Sequence, residues 1–215
     1  MQDLDFSDLW ELDDERQHRV REIYEEAFPP AEREPFDQLV SGAEAGDKVT
    51  VVAMEGMDPI GFAVASPLSS AGVTLVEYMA VNVRRRGMGY GTALVRNLTK
   101  TIERRKGPLR LILEVEDPDE PEISPETRRH RQRRVEFYER LGASIFPPSD
   151  YRVPAFDGQG TLPMRLMYFD ARTEPGPAPT FPESARIVEA IYREGYGLSQ
   201  DHPLVQMHAK RHCGG

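Results

Sequence analysis

A turn with three alternating glycines, Gly87, Gly89 and Gly91, ends one apolar run and opens an amphipathic one, and few folds accommodate that order. The run before it, 73–83, reads as a strand, and Ala93, Leu94, Leu98 and Ile102 share one face of a predicted helix over 90–105. Glycines let main-chain amides approach an anion without Cβ obstruction, and the helix aims its partly positive N-terminus at the same place. A diphosphate suits such a turn. The Walker form is excluded because Gly-Lys-Ser/Thr is missing, and the dinucleotide fingerprint Gly-x-Gly-x-x-Gly because the third glycine comes one residue early. A dinucleotide site would also follow the first strand of a βαβ unit, whereas this turn follows a meander.

That meander consists of predicted strands 49–54, 60–66 and 73–83, with turns at 56–59 and 67–72. Ahead of it lie a strand at 6–12 and a helix at 13–27, with Val20, Ile23, Tyr24 and Ala27 at helical spacing and Asp13 and Asp14 at its start. A helix at 36–45 ends at Gly46, and the prolines at 29, 30 and 35 stiffen the loop 28–35. Beyond the glycine turn, 109–115 (LRLILEV) reads as a buried strand, parallel to 73–83 if the intervening helix is a right-handed crossover. Residues 116–126 then carry six acids and three prolines, and 128–134 five arginines and a histidine, which reads as a solvated loop feeding a polar helix face. That helix runs to Leu141 and closes at Gly142, and two last strands, 143–146 and 164–169, follow. The order predicts an α/β or α+β domain over 1–172. A Pro-rich link, 174–182, lies within a separate C-terminal extension, 173–215, with a helix at 183–194.

The chain has 215 residues, with 27 Lys plus Arg against 36 Asp plus Glu, a formal charge of −9. Such a balance argues against nucleic acid as the main partner. No window approaches the roughly 18 consecutive apolar residues of a membrane span, and no signal-peptide pattern opens the sequence. With one cysteine, Cys213, no internal disulfide is possible, and a cytoplasmic protein is expected. His202, His208, His212 and Cys213 sit near a chain end beside two glycines and are read as no metal site. Ile187, Val188, Ile191 and Tyr192 form an apolar stripe that covers either the core or a second subunit of a homodimer.

Arg86-Gly87-Met88-Gly89-Tyr90-Gly91 resembles the Arg/Gln-x-x-Gly-x-Gly/Ala signature of the GNAT N-acetyltransferase superfamily, preceded by a strand ending Tyr78-Met79-Ala80-Val81. Phe137-Tyr138-Glu139-Arg140-Leu141-Gly142-Ala143 is similar to the family's Phe-Tyr-Glu-Lys-Leu-Gly-Phe element. The resemblance covers roughly residues 5–170 and implies a mixed, mostly antiparallel central sheet of about seven strands flanked by helices. It also implies acetyl-CoA as cofactor, with the pyrophosphate on Arg86, Gly87, Met88, Gly89, Tyr90, Gly91 and Thr92. The pantetheine arm would pair with the main chain of Met79, Ala80 and Val81.

The implied reaction moves an acetyl group to a primary amine of a small molecule or peptide by direct attack through a tetrahedral intermediate. An amine of pKa ~10.4 is only about 0.04% neutral at pH 7, a deficit near ~4.6 kcal/mol, so a base is useful. Glu114, where some members of the family place a catalytic glutamate, and Glu77, among Leu75, Val76 and Tyr78, are equal candidates. Either carboxylate needs a wet cleft or a charge partner, because an unpaired buried one is costly. Tyr138 matches the tyrosine that protonates the departing sulfur. Where the family often has Asn, seven residues before that tyrosine, this chain has Arg131, after an insertion at 117–128; Arg131 and Arg134 are candidates for a phosphate or an acidic acceptor. The family's acceptor loops correspond to 28–35 and 147–163, with Phe28, Glu32, Arg33, Tyr151 and Phe156 as contacts. Two rival readings are a non-catalytic acyl-CoA sensor and a transferase of a longer acyl group.

Overall fold

The computed structural model describes residues 4–212, so Cys213 lies outside the described residues. Two compact units form: one comprises the chain through Pro67 with Val76–Pro108 and Phe156–Gln159, the other Leu68–Leu75, Leu109–Ala155 and the chain from Gly160 onward. The fold is mixed α/β with mostly antiparallel strands, eight among the described residues.

The first unit is built from β1 (Asp5–Ser7), α1 (Asp14–Ala27), α2 (Phe36–Ala45), β2 (Val49–Glu55), most of β3 (Asp58–Leu68), the second half of β4 (Val73–Val81) and α3 (Tyr90–Arg104). Strands β1, β2 and β3 pair antiparallel in sequence order, with Phe6 opposite Ala53 and Val52 opposite Phe62. The Asp13 carboxylate accepts the Arg16 amide at 2.9 Å and starts α1, and Gly46, at φ 83°, ends α2. The apolar faces of both helices meet Val52, Phe62 and Val64 through Val20, Ile23, Tyr24 and Leu39. The strand expected over 6–12 stops at Ser7, because the Leu9 amide turns to the Thr50 hydroxyl (3.0 Å) and 9–11 coils into a 3₁₀ turn.

In the second unit, β8 (Thr161–Asp170) is the hub. It takes β5 (Arg110–Glu116) and β6 (Ser144–Phe146), both antiparallel, with Tyr168 opposite Ile112 and Ser144. The short strand β7 (Arg152–Pro154), not expected from the sequence, pairs with the start of β8. Helix α4 (Pro125–Arg140) starts where Ser124 accepts the Thr127 amide (3.0 Å), and Gly142, at φ 96°, ends it.

The C-terminal extension is part of this second unit's core. Helix α5 (Phe181–Ala190) begins two residues before the expected start, because Pro182 suits a first turn and the Glu183 carboxylate accepts the Thr180 amide (3.4 Å). It widens into a π-helical turn, Ile191–Gly195, and a helix absent from the sequence reading follows, α6 (Pro203–His212). Ile187, Val188, Ile191, Tyr192, Leu204 and Val205 pack with Ile112, Leu166 and Tyr168, so the predicted stripe covers the core of this unit. No helix among the described residues is long and apolar enough to cross a membrane.

Candidate active site

The glycine turn is assembled from β4 outward. After Val81, the Asn82 side chain accepts the Arg84 amide (3.0 Å) and starts a 3₁₀ turn over Val83–Arg85. Gly87 and Gly89 have φ of 79° and 86°, a left-handed backbone that side-chain-bearing residues adopt at a cost. Gly89 stands at the N-cap of α3 and supplies no side chain to cap its first amides. Two contacts fix the turn from behind: Arg85 pairs with Glu55, and the Tyr90 hydroxyl, on a buried ring, donates to the same carboxylate at 3.3 Å. A Cβ on Gly61 would lie 2.8 Å from the Ala80 carbonyl oxygen, so only glycine lets β3 approach the Ala80–Val81 backbone that closely. Ala80 is buried in the first core, while Met79 and Val81 are half-buried.

The two candidate bases have opposite surroundings. Glu77 lies 2.5 Å from the Lys48 ammonium, which also reaches Glu34 at 3.0 Å, and all three side chains are nearly buried. Burial raises the Glu34 pKa, opposed by Lys48 and reinforced by Glu77. Burial works against the Lys48 charge, yet Glu77 and Glu34 together outweigh it and leave its pKa raised. Around this group the Tyr78 hydroxyl accepts the Glu34 amide (3.1 Å) and the Tyr24 hydroxyl donates to the Glu34 carbonyl (3.0 Å), with both phenols pushed upward by burial.

Glu114, on β5, accepts from two phenols. The Tyr151 hydroxyl donates to one carboxylate oxygen and the Tyr196 hydroxyl to the other at 2.8 Å. Tyr151 is 2% exposed, stacked on Tyr192 with ring centroids 5.7 Å apart, and burial followed by the Glu114 charge holds its phenol well above 10. Tyr138 is also buried, its ring edge-on to Phe137, and desolvation pushes its hydroxyl up to about 12 despite the nearby Arg134.

A sequence model described as the Acetyltransferase (GNAT) family matches residues 17–143, more than half of the chain. The chain belongs to the GNAT family. Solved GNAT structures share its fold. A GNAT-family protein from Bacteroides thetaiotaomicron matches with a TM-score of 0.70 at 24% identity, over 91% of this chain and 99% of the other. An aminoglycoside 6′-N-acetyltransferase solved with coenzyme A matches with 0.60 at 19%, over 80% and 99%. The ribosomal-protein-S18-alanine N-acetyltransferase of Escherichia coli matches with 0.55 at 18%, over 83% and 100%. No curated protein matches in sequence.

GNAT membership makes the chain an acyltransferase that uses acetyl-CoA, and the turn fits that cofactor. Space is open at the Cβ positions of Gly87 and Gly89, and uncapped α3 amides suit a pyrophosphate better than a cation. The two arginines proposed from sequence for this anion are engaged within the second unit. Arg134 pairs with Glu116, and Arg131 donates to the Asp117 carbonyl (2.7 Å) and pairs with Glu120. The insertion is thus a strap of acids laid on α4, with Arg165 of β8 holding Asp117 at 3.1 Å.

Of the predicted acceptor contacts, four share the first unit. Phe28 stacks edge-on against Tyr78 (5.1 Å), Arg33 donates to the Phe28 carbonyl (3.3 Å), and the Phe156 amide bonds Ala31 (2.9 Å), next to half-buried Glu32. Tyr151 belongs instead to the Glu114 cluster. A polar cavity of about 350 Å³ lies at the far end of α3 from the glycine turn, where Arg105 pairs with Asp8 (2.7 Å). Sequence reasoning missed Lys48, Glu34, Glu55, Gly61 and Tyr196; only Tyr196 carried a signal, four residues after Tyr192 in an apolar helical pattern.

Proposed function

We propose that the protein transfers the acetyl group of acetyl-CoA to the primary amine of a small molecule or peptide, with Glu114 as the base and Tyr138 as the donor to the departing sulfur. The observation that carries the reading is the glycine turn: two left-handed glycines lead into a helix whose first amides have no side-chain cap. Those amides and the main chain of 79–81 bind the donor. Glu114 removes an ammonium proton, the amine lone pair forms the new C–N bond at the thioester carbonyl, and the tetrahedral intermediate collapses with cleavage of the C–S bond, the second nitrogen proton passing to the departing thiolate while Tyr138 hydrogen-bonds the sulfur.

Glu114 is preferred over Glu77 for a chemical reason. The phenols of Tyr151 and Tyr196 hold the Glu114 carboxylate by hydrogen bonds that orient it. A proton on Glu77 would instead weaken its bridge to Lys48. At about 12, the Tyr138 phenol stays protonated at working pH but is a weaker acid than a thiol near ~8.5, so it stabilises the thiolate by a hydrogen bond.

Titration calorimetry with CoA and acetyl-CoA, followed by thiol release over a panel of polyamines, aminoglycosides and lysyl peptides, tests this directly. Expected are saturable heat with both ligands, affinity weakened about tenfold in Gly89→Ala by strain at a left-handed position, and turnover with at least one amine. Absence of heat overturns the proposal; binding without turnover on any amine replaces it with an acyl-CoA sensor.

A further inference from the structure

We infer that Tyr196, carried by the C-terminal extension, is a positioning residue for Glu114, so that the extension completes the base. This rests on the proposed assignment of Glu114. Both phenols on Glu114 come from outside residues 17–143, the part that matches the family model.

The placement of Tyr196 is built. An unbroken α-helix would continue α5 past Ala190, but the backbone over Ile191–Gly195 is π-helical, and the Tyr196 amide reaches back five residues to the Ile191 carbonyl at 2.9 Å. One extra residue in a turn rotates every following side chain by about 100° relative to an α-helix. Two independent contacts hold the widened turn. The Glu194 carboxylate accepts the amides of Ser69 (2.7 Å) and Ser70 (3.1 Å) in the β3–β4 turn. At Gly195 a Cβ would meet the Leu75 side chain at 3.2 Å, so a residue without one lets the turn close on β4.

The consequence for Glu114 is mechanical and electrostatic. With Tyr151 buried on one oxygen and half-buried Tyr196 on the other, the carboxylate plane is fixed, and both donors favour its charged form. The other titratable groups in this packing have their own partners. The Tyr192 hydroxyl donates to the Arg152 carbonyl (2.7 Å), His208 Nε2 sits on the Ala185 carbonyl (2.8 Å), and Arg165 on β8 pairs with Asp117.

The test is a double-mutant cycle in the full-length enzyme, using acetyl-CoA and whichever panel amine wild type acetylates. Tyr196→Phe keeps the ring and removes one hydrogen bond to a charged group. Its kcat is expected to fall about tenfold with KM for acetyl-CoA unchanged, and the acidic limb of kcat/KM to move up by about one pH unit. In a Glu114→Gln background the same substitution should change kcat less than about twofold, because the group it acts through is gone. Melting temperatures accompany each variant, and a folded Tyr196→Phe with wild-type kcat and an unmoved limb overturns the inference. An equal loss in both backgrounds also overturns it, as a purely structural role. A wild type that binds acetyl-CoA and acetylates no amine overturns the proposed function, a different result from either.

Discussion

Glu77 and Glu114 occupy near-identical sequence settings, each a lone acid in an apolar strand, yet the molecule treats them oppositely. Around Glu77 it brings a buried ammonium shared with a second carboxylate; around Glu114 it brings two neutral phenols. A carboxylate neutralised by lysine is a fixture, because any change in its protonation unbalances a buried charge cluster. A carboxylate that accepts from phenols is oriented by them, and such donors favour its charged form, which suits a proton acceptor. Burial alone therefore does not separate the two acids; the kind of partner does.

The sharpest way to break this contrast is kinetic. Glu114→Gln is expected to lower kcat/KM by about 10²–10⁴-fold, the range for a general base, and Glu77→Gln by less than about tenfold. Reversed magnitudes in steady-state assays would exchange the two roles.

Stability should show the opposite ranking. Lys48→Met leaves Glu34 and Glu77 together without their counter-ion and should cost about 3–5 kcal/mol in urea denaturation at pH 7. Because Glu34 already has a raised pKa, the folded variant takes up a proton more readily than the unfolded chain. The deficit should therefore shrink as pH falls through the carboxylate range. A deficit that stays constant between pH 7 and 4.5 would mean that the lysine acts by packing alone.

Asp170 extends the comparison to a carboxylate with both kinds of partner. It accepts from Arg172 Nε (2.8 Å), the Gly176 amide (2.7 Å) and the Tyr168 hydroxyl (3.2 Å), and the Arg172 hydrogen bond leads in holding its pKa well below the usual range. A depressed folded pKa gives stability that is present above the unfolded value and lost as pH falls toward the folded one. Asp170→Asn should thus cost about 1–2 kcal/mol at pH 7, with the difference from wild type closing below about pH 3. Equal losses at pH 7 and pH 2.5 would remove the electrostatic explanation.

Much of this architecture follows from local rules. Helices α1, α2, α3 and α4 and the meander were legible because apolar periodicity, caps and stop residues all act within a few residues. The same holds for the glycine turn, whose left-handed positions at Gly87 and Gly89 are a property of the residue type. The π-helical turn was not legible, since the bonds that favour it join Glu194 to Ser69 and Ser70 across 125 and 124 residues. Nor was α6, whose Leu204 and Val205 gain their burial only against the second core.

Sequence by itself determined the order of the elements from β2 to α4, the glycine turn and the presence of two acids in apolar strands, because each is written in neighbouring residues. Which acid is tied down by a lysine and which is held by phenols was decided only in three dimensions. Lys48 is 29 residues from Glu77, and Tyr196 is 82 from Glu114. Charge compensation is a matter of distance in space, and no local pattern encodes a partner that only folding brings within 3 Å.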